Sequence, residues 1–242
     1  YCTTIIFIFY LCFNRICMGN TTEYSRGFLA KLVAIASIGS FIDWYSWQLV
    51  TIGAAVIWPH VFFPKTMSPT LALILSLLAY SVSMFFRPVG AAVWGHLGDR
   101  LGRKSTLVWT LIVSFVGLMG IVLDPGYSAI GIWGVAILYL FLIILAIGFG
   151  GEWQGALTWI YEFVSNKRTR SLWVVWPDIM LSLGMVVALL GFSWTGVLTG
   201  HAFFSWGWRI PFAAGAAVVV VGFILRYKFM ESPLFMRIKA AG

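Results

Sequence analysis

An all-α, polytopic membrane protein, a six-helix transmembrane bundle, is the fold class this sequence predicts, and three observations predict it. Of 242 residues, 61% are apolar and only 10% charged, where soluble domains carry nearer ~25% charged residues. The apolar residues gather into six long runs, most of them near or above the ~18 to 20 residues that cross a hydrocarbon core as a helix. Lys and Arg crowd into alternate gaps between those runs, the charge asymmetry that sets orientation in a bilayer. Thirteen Trp, 20 Phe and a mean hydropathy of +0.94 agree. A net charge of +8 would suggest nucleic acid in a soluble protein. Here it reads as loop charge, so a lipid bilayer, and no nucleic acid, is the expected partner.

Residues 1–17 are expected to be a non-native or disordered extension. Their apolar run, Ile5 to Phe13, is too short to span, and the basic residue Arg15 follows it, where a secretory signal places charge first. Met18 is the expected natural start, with 18–31 a cytoplasmic tail. Cys2, Cys12 and Cys17 all lie in this extension. They offer neither a disulfide framework nor a zinc site.

The bundle is expected over 32–230. Its runs are roughly Leu32 to Trp58, Leu71 to Trp94, Thr106 to Leu123, Ile130 to Tyr161, Leu172 to Leu198 and Phe212 to Tyr227. At ~1.5 Å per residue each can cross a core of ~30 Å, the last with help from its flanks. Between the second and third runs, Gly95-His96-Leu97-Gly98-Asp99-Arg100-Leu101-Gly102-Arg103-Lys104 reads as a charged, glycine-rich hinge loop joining antiparallel neighbours. Outer turns are expected at His60 to Pro64, at Asp124-Pro125-Gly126 and at Gly200 to Trp208. Residues 231–242 begin a central cytoplasmic loop.

One side carries twelve basic residues: Arg26, Lys31, Arg100, Arg103, Lys104, Lys167, Arg168, Arg170, Arg226, Lys228, Arg237 and Lys239. The other carries Lys65 and Arg209. Both chain ends are therefore expected in the cytoplasm, with the protein multi-pass in the plasma membrane.

Four ionisable residues fall inside apolar runs: Asp43, Arg87, Glu152 and Asp178. A charge at mid-depth costs at least ~2.5 to 3.5 kcal/mol, so each is expected to face a cavity or a partner. Counted from the cytoplasmic helix ends, all four lie ~12 to 17 Å deep, which suggests one shared polar cavity. Arg87 is expected to pair with one carboxylate, and a second carboxylate to sit partly protonated and carry a proton. The planar fork of Arg87 can hold a solute carboxylate. Tyr45 and Gln48 give Asp43 polar and aromatic company. The competing reading is an ion pair that only locks helices together, with Asp178 supporting a kink at Pro177 and Glu152 serving the glycine-rich contact formed by Gly148, Gly151 and Gly155. At the cytoplasmic face Gly95, Asp99, Arg100, Gly102, Arg103, Lys104, Glu162 and Arg168 form a candidate gate. Its salt bridges, worth ~0 to 1 kcal/mol each, are weak enough to break in a working cycle.

His60, His96 and His201 read as interface residues. Gly148 to Gly151 resembles a dinucleotide loop but lacks a strand-helix-strand setting. No nucleophile–base pair, metal cluster or phosphate loop is present, so neither an enzyme nor a cofactor is expected.

The hinge, written G-x-L-x-D-R-x-G-R-K, resembles the loop between the second and third spans of the major facilitator superfamily. Further strings resemble its metabolite:proton symporter family: Asp43-Trp44-Tyr45, Arg87-Pro88-Val89-Gly90, Gly150-Gly151-Glu152-Trp153 with Gly155-Ala156, Trp206 to Phe212, and Glu231-Ser232-Pro233-Leu234-Phe235. The resemblance implies one half of a major facilitator fold, the amino-terminal one, from a carrier of small organic acids or zwitterions. It implies a small-molecule solute and a proton as partners, and a carboxyl-terminal six-helix half supplied by the same gene or a separate chain. Ser46 stands where the family usually has a second acid, and Leu142 and Leu145 where it has Arg and Gln. The alternative is a truncated or split membrane protein that transports nothing and serves as a helical partner.

Overall fold

The computed structural model describes residues 25–164 and 167–227. The extension at 1–17, most of the tail, the Glu231 to Phe235 string and the loop at 231–242 lie outside the described residues.

The described chain is helical, in six spans long and apolar enough to cross a membrane: Gly27–Val61, Pro69–Leu101, Lys104–Leu123, Ile132–Phe163, Thr169–Gly207 and Arg209–Tyr227. Span 1 comprises α1 (Arg26–Ile52), a π-helical turn over Gly53–Ile57 and α2 (Trp58–Val61). The Ser25 hydroxyl accepts from the Phe28 N–H and starts the helix six residues earlier than expected. Pro59 has no N–H to offer four residues back, and the π turn just before it absorbs that missing bond.

Span 2 starts at Ser68, which caps Leu71, with Pro69 in the first turn. It divides into α3 (Pro69–Phe85) and α4 (Arg87–Leu101). Pro88 removes the donor that would have reached Met84, and the helix breaks at Phe86. Here the expected ten-residue hinge is corrected. Helix α4 continues through Gly95 to Leu101, and the turn is the single residue Gly102, at φ 96° and ψ 150°. Only glycine adopts that conformation without strain, so one residue suffices to reverse the chain.

Span 3 is α5 (Arg103–Leu123). A short helix, α6 (Tyr127–Ile130), leads to span 4, which breaks at Gly151 into α7 (Ile132–Gly150) and α8 (Glu152–Phe163). Span 5 is α9 (Lys167–Thr199), with Pro177 inside it, followed by a 3-10 turn and a π turn over Phe203–Gly207. The outer loop expected at Gly200 to Trp208 is therefore mostly wound helix. Its Phe203 buries against Phe192 with ring centroids 5.1 Å apart, which supplies the reason to stay folded. Span 6 is α10 (Arg209–Tyr227).

Span 1 lies centrally, packed on spans 4, 5 and 6, while span 3 packs between spans 4 and 6. Spans 2 and 5 are the barest: 22% and 17% of their apolar windows are buried, against 39% to 50% in the other four. The two helix breaks meet. Backbone of α4 at Gly90 lies against Ile147 of α7, and Gly150 lies against the backbone of Arg87 and Ala91. Trp94 Nε1 donates to the Ile147 carbonyl at 2.7 Å and fixes the crossing.

At the start of span 6, Arg209 clasps span 3. Its Nε donates to Val122 O (2.9 Å), Nη2 to Asp124 O (2.7 Å) and Nη1 to Ser205 O (2.8 Å). The orphan carbonyls of a helix C-terminus thus find a charged donor. Asp124, just past α5, accepts from the Gly126 N–H at 2.9 Å. Burial pushes its carboxyl pKa above the ordinary value, opposed by that N–H and by the charge of Arg209.

Candidate translocation site

Two charged residues of the bundle interior, Arg87 and Glu152, stand at helix breaks. Arg87 is the first residue of α4 and Glu152 the first of α8, so each break aims one charge inward. Across from them runs α1, which carries Ser37, Ser40, Asp43 and Ser46, all buried. The hydroxyls of these three serines have no hydrogen-bond partner among the described residues.

Asp43 and Arg87 pair. Arg87 Nη2 reaches Asp43 Oδ1 at 2.7 Å and Oδ2 at 2.5 Å, and touches the Phe149 carbonyl at 3.4 Å. Asp43 is sealed, whereas the Arg87 side chain keeps 15% exposure. The guanidinium lies over two indoles, 4.9 Å from the Trp47 ring and 5.7 Å from the Trp44 ring. Trp47 is itself held by the Tyr80 hydroxyl at 3.2 Å. One nitrogen makes every hydrogen bond that Arg87 has among the described residues. Its Nε and Nη1 make no hydrogen bond among the described residues, which leaves a donor edge suited to a carboxylate.

Glu152 goes elsewhere. It pairs with Arg226 at 2.5 Å, both residues sealed from solvent, and takes a hydrogen bond from Thr110 at 2.7 Å. Arg226 also donates to Ala36 O at 3.1 Å and to Leu107 O at 3.3 Å. A Cβ on Gly39 would overlap Glu152 Oε1 and Arg226 Nη2, so the glycine makes room for the pair one turn of α1 below Asp43. Counting Arg226 among the loop cations is corrected here. It continues the buried stripe Phe212, Gly215, Ala216, Val219 and Gly222 at helical spacing, which was the signal available in the sequence.

Asp178 is exposed and accepts from Trp153 Nε1 at 3.0 Å. Of the four charges, Asp43 and Arg87 pair with each other, Glu152 pairs with Arg226, and Asp178 stands apart on the exposed side of span 5. Tyr45 is likewise committed, its hydroxyl donating to Pro211 O at 2.9 Å to join spans 1 and 6. Gln48 is half-buried on α1. Leu142 and Leu145 are sealed in the apolar core.

At the candidate gate, Gly95, Asp99 and Arg100 lie exposed on α4, and Gly102 makes the turn. Lys104 Nζ stands 5.9 Å from the Tyr227 ring, and Glu162 is half-buried near the end of α8. The side chains of Arg103 and Arg168 lie outside the described residues.

The family profile described as "Sugar (and other) transporter" matches residues 32–241. The chain is 36% identical over 214 residues to the inner membrane metabolite transport protein YhjE of Escherichia coli K12, covering 87% of this chain and 48% of that protein. It is 31% identical over 228 residues to the proline/betaine transporter of Salmonella typhimurium LT2, covering 92% and 44%. The chain spans about half the length of the curated relatives it matches. Its fold matches the inward-open xylose transporter XylE of E. coli with a TM-score of 0.74 at 19% identity, over 86% of this chain and 50% of that one. The six spans, the matched profile and these relatives agree, and the chain belongs to the sugar (and other) transporter family of the major facilitator superfamily.

Proposed function

We propose that this chain is the amino-terminal half of a proton-coupled carrier for small zwitterionic or carboxylate-bearing metabolites, working by alternating access. The observation that carries the reading is Arg87: bound to Asp43 through one nitrogen, stacked on two indoles, and with no hydrogen bond along its other edge among the described residues. A solute carboxylate takes that edge. Its cationic end, where it has one, meets the faces of Trp44 and Trp47, rings that already hold a guanidinium. As Arg87 turns toward the solute, Asp43 loses its counter-ion in a sealed setting and is stable only with a proton bound. Solute and proton then load together. The transport proteins named above favour a metabolite, and the proline/betaine transporter favours a zwitterion.

In this reading Asp178 and Gln48 line the route at its edge, and the charged turn around Gly102 forms a cytoplasmic gate. Glu152 and Arg226 hold spans 1, 3, 4 and 6 together beneath the site. Both chain ends face the cytoplasm, and a second six-helix unit covers the bare faces of spans 2 and 5. The test is uptake of radiolabelled glycine betaine by proteoliposomes that hold the chain with its complementary unit, with and without an inward pH gradient. Gradient-driven uptake lost in Asp43→Asn and in Arg87→Gln is the expected result. Uptake indifferent to both substitutions removes the pair from the mechanism.

A further inference from the structure

A cavity of about 650 Å3 opens where the outer end of span 1 meets the start of span 2 and the end of span 5. That size falls within the ~300 to 1,000 Å3 of sites that hold small organic ligands. Its polar side chains are His60 and Lys65, and no carboxylate lines it. Phe63 and Phe204 supply aromatic walls, and Leu73 an apolar one. Pro69 brings the first turn of α3, a 17-residue helix, to the rim, so the positive end of that helix opens here as well.

The rim is organised rather than loose. His60 stands edge-on to Phe204, centroids 5.1 Å apart at 77°, which ties the end of span 1 to that of span 5. Lys65 is exposed and makes no ion pair among the described residues. The other outer cation, Arg209, is taken up by three carbonyls. Lys65 is therefore the cation left to meet an anion arriving from the outside.

We propose that this cavity is an outer binding site for a small organic carboxylate with an apolar body. The carboxylate sits between Lys65 and His60, and the body lies against Phe63 and Phe204. Its place as the first station of a transport route rests on the carrier reading above, because the cavity opens beside spans 2 and 5. The binding itself does not.

The probe is 4-fluorobenzoate, titrated by 19F NMR against the chain in nanodiscs of neutral phosphatidylcholine. Saturable binding is expected. Lys65→Gln weakens it roughly tenfold, the loss of one charge-assisted hydrogen bond, while Lys65→Arg retains it. Phe204→Ala weakens it severalfold through loss of the aromatic wall. Absence of saturable binding, or equal binding by the wild type and Lys65→Gln, overturns the proposal. Binding that survives Lys65→Gln but disappears in Arg87→Gln places the probe at the midplane pair; this overturns the outer site and leaves the carrier reading standing. Loss in Lys65→Gln with glycine betaine uptake abolished in no variant does the reverse.

Discussion

Arg87 draws its importance from the groups around it. A buried carboxylate stripped of its only cation keeps its desolvation cost without compensation, which typically amounts to ~3 to 5 kcal/mol. Arg87→Ala is therefore expected to lower thermal stability in detergent by that order, and Asp43→Asn/Arg87→Gln together to recover a large part of the loss. A loss in the double variant equal to the sum of the two single losses would show that the charges are not coupled. Asp124 makes a different prediction, because it sits outside the spans. Its folded pKa lies above the unfolded value near 3.8, so the folded state binds more protons in the window between the two. Stability is then full below 3.8 and falls as pH rises through the folded pKa. Asp124→Asn retains an acceptor for Gly126 and should flatten that fall in melting temperatures measured across acidic pH. An unchanged slope would assign the fall to other groups.

At the scale of elements, glycine decides where backbones can touch, and two glycines of the same helix pair give opposite expectations. A Cβ at Gly150 would meet the backbone of Arg87 and Ala91, which cannot swing aside. Gly150→Ala should destabilise by ~1 to 3 kcal/mol and prise α7 from α4. Gly95, also helical, has nothing within 4 Å of the corresponding point. Gly95→Ala should gain ~0.5 to 1 kcal/mol from helix propensity alone. Melting temperatures that move the same way in both would contradict the packing described. Sequence reading saw all six rods because long apolar runs have few other uses, yet it drew ten residues around Gly102 as loop. Charge and glycine mark a membrane boundary, but they do not mark where a helix ends, and α4 simply continues as helix through Leu101. The Asp43–Arg87 pair was legible in part, since two expensive charges at equal depth must find partners. The Glu152–Arg226 pair was not, because Arg226 stands at the edge of its run, where a count of loop cations claims it first. Distinguishing the two roles required the helical phase of span 6, which sets Arg226 on the face of Gly215 and Gly222.

For the molecule as a whole, the chain crosses the membrane an even number of times, so its described ends at 25 and 227 emerge on one side. Spans 2 and 5, the barest, both contact span 1, the helix that carries Asp43. Lipid could cover their apolar residues, but it gives the exposed carboxylate of Asp178 no partner, and a lipid-facing charge is expensive. In the carrier reading proposed above, a second protein unit on that face satisfies both conditions. Topology supplies the decisive measurement. With Cys2, Cys12 and Cys17 replaced by Ser, single cysteines at exposed Thr66, Ser128 and Leu101 report the side of each turn. A membrane-impermeant maleimide applied to right-side-out vesicles should label Thr66→Cys and Ser128→Cys and spare Leu101→Cys until the membrane is opened. Labelling of Leu101→Cys alone would invert the orientation and keep the six crossings. Simultaneous labelling of Thr66→Cys and Leu101→Cys would mean that span 2 does not cross, and Arg87 could not then stand within a sealed bundle beside Asp43.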